Sequence, residues 1–124
     1  MTSGKNQSFT KIEHEVIHHF REQINLAESM ADVQLVFSRT IQGILLQVFD
    51  NRIDVKVEDV TLTPEQEPGY ALNESLLCNE TFKKIWLASD LQQIIERFAS
   101  SAEHRFKQLR KHHNDGTGSK IGRH

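Results

Sequence analysis

Between Phe9 and Val48 apolar residues return every three or four positions twice over, a pattern that only a pair of helices can gather onto one face each. The first stripe is Ile12, Val16, Phe20, Ile24 and Ala27, with Phe9 and Ile17 alongside and Ser8 standing where an N-cap belongs. A helix over residues 9–29 follows, and it turns His14, His18, Arg21, Glu22 and Asn25 away from the stripe. The second stripe, Val33, Val36, Phe37, Ile41, Ile44 and Val48, has Asp32 as its N-cap and ends near Asp50-Asn51. Leu35, Leu45, Leu46 and Phe49 fall outside that stripe and make the helix apolar over more than half of its circumference. Those four residues are expected to form an interface, with other helices of the chain or with a second copy of it.

At Arg52 the period changes to two. Ile53, Val55 and Val57 alternate with Asp54, Lys56 and Glu58, which reads as a strand with one buried face. Val60 and Leu62 are out of phase with it, so a bulge or turn is expected at Glu58-Asp59. Thr63-Pro64-Glu65-Gln66-Glu67-Pro68-Gly69 is a loop, because two prolines and a glycine continue neither element. Between Tyr70 and Ala88, Asn73-Glu74-Ser75 and Asn79-Glu80-Thr81 resemble helix starts, and short helices are favoured over a strand at 82–87. Ser89 or Asp90 caps a last helix whose stripe is Leu91, Ile94, Ile95, Phe98, Ala102, Phe106 and Leu109, roughly 33 Å long.

The expected fold is therefore α+β and predominantly helical: a long α-hairpin, one or two short strands, a short helix and a long C-terminal helix. A chain of 124 residues accommodates one such domain. It is placed at residues 9–113, between a flexible amino terminus (1–8) and a tail (114–124) in which Asn114-Asp115-Gly116-Thr117-Gly118-Ser119 has nothing to bury.

With 37% hydrophobic and 26% charged residues, the composition is that of a globular protein. The longest apolar runs, Gly43-Ile44-Leu45-Leu46 and Ile85-Trp86-Leu87-Ala88, fall far short of the ~18 residues a spanning helix requires. The polar start Met1-Thr2-Ser3-Gly4-Lys5-Asn6-Gln7-Ser8 lacks a secretory h-region, so a cytoplasmic location is expected. Cys78 is the sole cysteine, which excludes an internal disulfide, and it is read as a filler of apolar space.

One motif suggests chemistry. His14-Glu15-Val16-Ile17-His18 matches H-E-x-x-H, and by that pattern alone it resembles the zincin metallopeptidases. The resemblance implies zinc held by His14 and His18, with Glu15 polarising its water. It covers five residues, and Arg21 and Ile24 stand where the longer metzincin form has a glycine and a third histidine. The apolar stripe also turns both imidazoles toward water, whereas catalytic zinc takes three protein ligands in a shaped pocket. His14 and His18 are therefore read as a solvated polar face, and no cofactor is expected.

Charge is unevenly spread within a net value of −2. Residues 50–80 are acidic, while Arg97, His104, Lys107, Arg110 and Lys111 make the last helix basic and are the candidates for a partner or nucleic-acid surface. Cations near a helix C-terminus also complement its dipole, which accounts for their position without a ligand. The leading expectation is a non-enzymatic interaction or regulatory module that works through helix surfaces as a homodimer. Nucleic-acid binding through the basic helix is the alternative, and a zinc hydrolase using His14, Glu15 and His18 comes third. Metal analysis of protein purified without a histidine tag should return zinc far below one atom per chain; a stoichiometric value would restore the hydrolase reading.

Overall fold

A computed structural model describes the chain from Ser8 to Ser119, with side chains as far as Lys111. Residues 1–7 of the expected flexible amino terminus and 120–124 of the expected tail lie outside the described residues. The architecture is α+β and predominantly helical, as the periodicity implied.

Helix α1 spans Thr10–Leu26. Its N-cap position is Phe9 rather than Ser8, whose hydroxyl accepts the Thr10 N–H only at 3.4 Å. The shorter contacts come from Asp90, far along the chain: its carboxylate accepts the Phe9 N–H and the Ser8 hydroxyl, both at 2.8 Å. An acid belongs there, where the helix dipole is positive.

Helix α2 spans Met30–Val48 and is capped by Ser29, whose hydroxyl accepts the Asp32 N–H at 3.1 Å. The expected cap, Asp32, lies inside the first turn and reaches back to accept the Glu28 N–H at 3.2 Å. After Phe49 the chain leaves the helix through Asp50 and Asn51, both left-handed at φ 54° and 61°. Asp and Asn tolerate that region best among residues with a side chain. The Asn51 N–H closes the turn on the Leu46 carbonyl at 2.9 Å.

The alternating segment 53–57 is not a strand. Ile53 and Val55 are buried and Arg52, Asp54 and Lys56 exposed, as the period of two required, but no strand among the described residues pairs with the segment. The segment runs extended beside α2, where the Gln42 side-chain amide donates to the Val55 carbonyl at 2.8 Å. The expected break at Glu58-Asp59 is a 3-10 turn, Val57–Asp59. Strand β1, Val60–Leu62, then pairs antiparallel with β2, Tyr70–Leu72, with Val60 opposite Leu72 and Leu62 opposite Tyr70. The acidic Pro/Gly segment is the loop of this hairpin. It closes through Thr63 N–H to Gly69 O at 2.8 Å, and Gly69 at φ 102° adopts a backbone that other residues avoid.

Two short helices follow, α3 (Glu74–Leu77) and α4 (Glu80–Ala88), each started by an asparagine side chain, Asn73 and Asn79. The long helix α5 runs Leu91–Ser119, further than the expected end near residue 113, and Ser89 accepts its first N–H at 3.2 Å. Helix α2 is central and packs on α1, α5, the 3-10 turn and β1. Phe20 of α1 meets Phe98 of α5 edge-on at 4.8 Å, and Phe49, Phe82 and Trp86 stack at 5.5 and 5.2 Å.

Of the two partners expected for the α2 interface, the rest of the same chain covers most of it. Leu45 and Phe49 are fully buried within the chain. The neighbours that α2 needed are supplied by α5, the hairpin and α4, whose Phe82 lies against Phe49. Leu46 is half-buried on the core, and of the four only Leu35 remains exposed.

The outer edge of β1 rests on a row of polar side chains one turn apart on α2. Gln34 donates to the Leu62 carbonyl at 2.8 Å and accepts the Leu62 N–H at 3.2 Å. Ser38 donates to the Val60 carbonyl at 2.6 Å. The side-chain amide of Gln34 thus does for β1 what a neighbouring strand would do. Gln34→Ala leaves both Leu62 main-chain groups unpaired and is expected to cost about 1–3 kcal/mol in urea denaturation, with faster hydrogen exchange confined to the hairpin.

Candidate functional site

The face of α1 that carries the H-E-x-x-H pattern lies in water. His14, Glu15 and His18 are all exposed, and among the described residues no group of three or more His, Cys, Asp or Glu side chains is placed to hold a metal. The turn of α1 that matters to the structure is one residue earlier. Glu13 is 9% exposed, and the Arg97 guanidinium clamps its carboxylate side-on, Nε to Oε2 at 2.7 Å and Nη2 to Oε1 at 2.8 Å. Hydrogen bonding to Arg97 holds the Glu13 carboxyl below its ordinary range, aided by the charge of Arg97 and opposed by burial. The same hydrogen bond raises Arg97 further.

Arg97 is therefore a tie between α1 and α5, with its side chain still half exposed. Two more of the basic candidates are also engaged. Lys107 lies 3.3 Å from Glu103, one turn back on α5. Arg110 pairs with Glu65 of the hairpin loop and sits over the Phe106 ring, 5.9 Å from its centroid. His104 touches the Gln108 amide at 3.3 Å, and Lys111 is exposed. The acids of residues 50–80 and the cations of α5 thus meet partly within the chain, at Glu65 and Arg110.

Arg105 was not among the candidates. Its Nη2 donates to the carbonyls of Asn25 and Ala27, at 3.3 and 3.0 Å, and so caps the C-terminal end of α1 from α5. Glu13 was also missed, although its spacing held a signal: it stands four residues before Ile17 and seven before Phe20, on the edge of the stripe. Cys78 is exposed at the end of α3 and fills no apolar space. Tyr70 is buried, and burial together with the nearby Glu96 pushes its phenol up to about 12, so it stays neutral.

One groove that the packing leaves open, of about 400 Å³, lies between α1 and α2. Leu26 and Leu35 flank it at 71% and 41% exposure, with Val36 half-buried between them and His19, Asp32 and Arg39 around it. Leu77 and Leu87 are also exposed among the described residues, but only Leu26 and Leu35 share one groove. Comparison with protein-family models, curated proteins and solved structures found no match.

Two outcomes follow for α1. Glu13 has a depressed carboxyl, so its pair stabilises the fold above pH about 4.5 and is lost as the pH falls through the folded-state value. Arg97 is half in water, which screens the pair, so Glu13→Gln is expected to cost only about 1 kcal/mol at pH 7. In urea denaturation from pH 7 to 3 the gap between variant and wild type should close toward acid. The double variant His14→Ala/His18→Ala should change stability by less than about 0.5 kcal/mol in the same measurement, because neither ring supports the core.

Proposed function

We propose that this protein is a cytoplasmic, non-enzymatic interaction module that acts through the outer surface of α1 and α2 and associates with a second copy of itself. The observation that carries the reading is the pair of open leucines, Leu26 and Leu35, on either side of the α1–α2 groove. Each sits on a different helix, so one docking partner covers both. Arg39 and Asp32 in the same groove are opposite charges on one helix, and a two-fold arrangement of two chains can pair each with its counterpart.

The catalytic alternatives draw less support from the geometry, since His14 and His18 stand apart from any third ligand among the described residues. The nucleic-acid alternative is weakened because Arg97, Lys107 and Arg110 each already face a carboxylate. Sedimentation equilibrium of the full chain should show a dimer whose dissociation depends on concentration. Leu26→Glu and Leu35→Glu should each yield monomer, with the unfolding midpoint almost unchanged because both side chains are exposed. A wild type that stays monomeric at every concentration would remove self-association, and leucine variants that remain dimeric would remove this surface.

A further inference from the structure

A second groove, of about 450 Å³, runs between α1 and α5. Its floor is the buried pair Phe20 and Ile24, and its walls carry Arg21, Ser100, Ser101, His104, Arg105 and Gln108. No carboxylate lines it. That sets it apart from the rest of α5, where Arg97, Lys107 and Arg110 are each met by an acid.

Arg21 makes no ion pair or hydrogen bond among the described residues. Arg105 meets no carboxylate either. Its Nη2 is fixed on the last carbonyls of α1, its Nε is buried without an acceptor, and its Nη1 makes only a long contact, 3.4 Å, to the exposed amide of Gln108. The guanidinium is thus tied to main-chain carbonyls and meets no carboxylate at the groove. Two guanidinium groups, an imidazole and two hydroxyls around one hollow form a donor set suited to a tetrahedral oxyanion. Arginine forks match phosphate oxygens in geometry as well as charge.

We propose that the α1–α5 groove is a binding site for a single phosphate group, free or as the monoester of a small molecule. Arg21 and Nη1 of Arg105 neutralise the anion, the Arg105 donor turning from Gln108 to the ligand. Ser100, Ser101 and His104 supply the remaining hydrogen bonds. The site is separate from the α1–α2 surface, so it stands or falls independently of self-association.

The test is a titration of the full chain with inorganic phosphate, read by amide chemical shifts and by calorimetry. Saturable binding of one phosphate per chain is expected, with the shifts centred on residues 20–25 and 100–108. Arg21→Gln should weaken it by roughly five-fold or more, since one charge-assisted contact is lost. Arg21 is exposed and supports no core contact, so circular dichroism should show that variant folded. Arg105→Gln also removes the cap of α1, so His104→Gln is the second variant, and a weaker but detectable affinity is expected from it.

Glycerol phosphate separates the sources: binding tighter than inorganic phosphate identifies a monoester, and weaker binding identifies the free ion, with the site upheld in both cases. Shifts that grow linearly without saturating, or an affinity indifferent to Arg21→Gln, would overturn the proposal. So would a short single-stranded oligonucleotide that binds with a steep salt dependence while phosphate does not, because that result requires an extended polyanion surface.

Discussion

The side of β1 that faces away from β2 is satisfied by a helix. A two-stranded hairpin is marginal by itself in water and presents unpaired main-chain groups along both sides. Here Gln34, Ser38 and Gln42, four residues apart on α2, reach the main chain at Leu62, Val60 and Val55. One helical row therefore anchors both the hairpin and the extended segment before it. Those contacts turn the apolar flank of β1, with Val60 and Leu62, onto the core. Without them the chain from Ile53 to Leu72 would have little reason to lie where it does.

The second set of ties is long-range. Glu13 with Arg97, the Phe9 and Ser8 donors with Asp90, and the end of α1 with Arg105 join the first helix to the last at its start, in its first turns and at its C-terminal end. Each is a polar contact at the rim of the apolar seam formed by Phe20 and Phe98. The seam supplies the burial, and the polar contacts at its margins set how the two helices align along it. Arg105 shows the economy of this arrangement, since the same guanidinium that closes α1 also charges the groove beside it.

Where the chain's period is long, the sequence is legible. Three helical stripes, an acidic Pro/Gly loop and two asparagine-started short helices all stand where spacing put them, because burial of an apolar face decides them locally. Ile53 and Val55 show the limit: a period of two reports one buried side of an extended chain, and it does not say whether a strand pairs with it. β2 escaped because three residues, Tyr70–Leu72, are too few to show any period. Asp32 and Ser8 lost their expected capping roles by small margins, to a serine three residues earlier and to a carboxylate that arrives from Asp90. Of the surface, the outward setting of His14 and His18 could be read from rotation alone. The status of Arg97 could not, because its partner is distant in sequence and a charged side chain gives no sign of which charge it will meet. Leu45 and Phe49 looked like surplus for the same reason, with Phe82 far downstream.

The distance in sequence between α1 and the helix that anchors it has a consequence for the growing chain. Helix α2, the extended segment and the hairpin can come together as soon as residue 72 has left the ribosome, because their contacts with one another lie within a few dozen residues. Helix α1 finds its cap, its ion-pair partner and the ring against Phe20 only once residues 90–105 have emerged. Until then part of its apolar stripe stays unclothed, for a few seconds at ordinary elongation rates of ~5–20 residues per second. Helix α1 packs on α2 as soon as that helix forms, but its other side is secured only when α5 arrives, and until then that side stays open to other contacts.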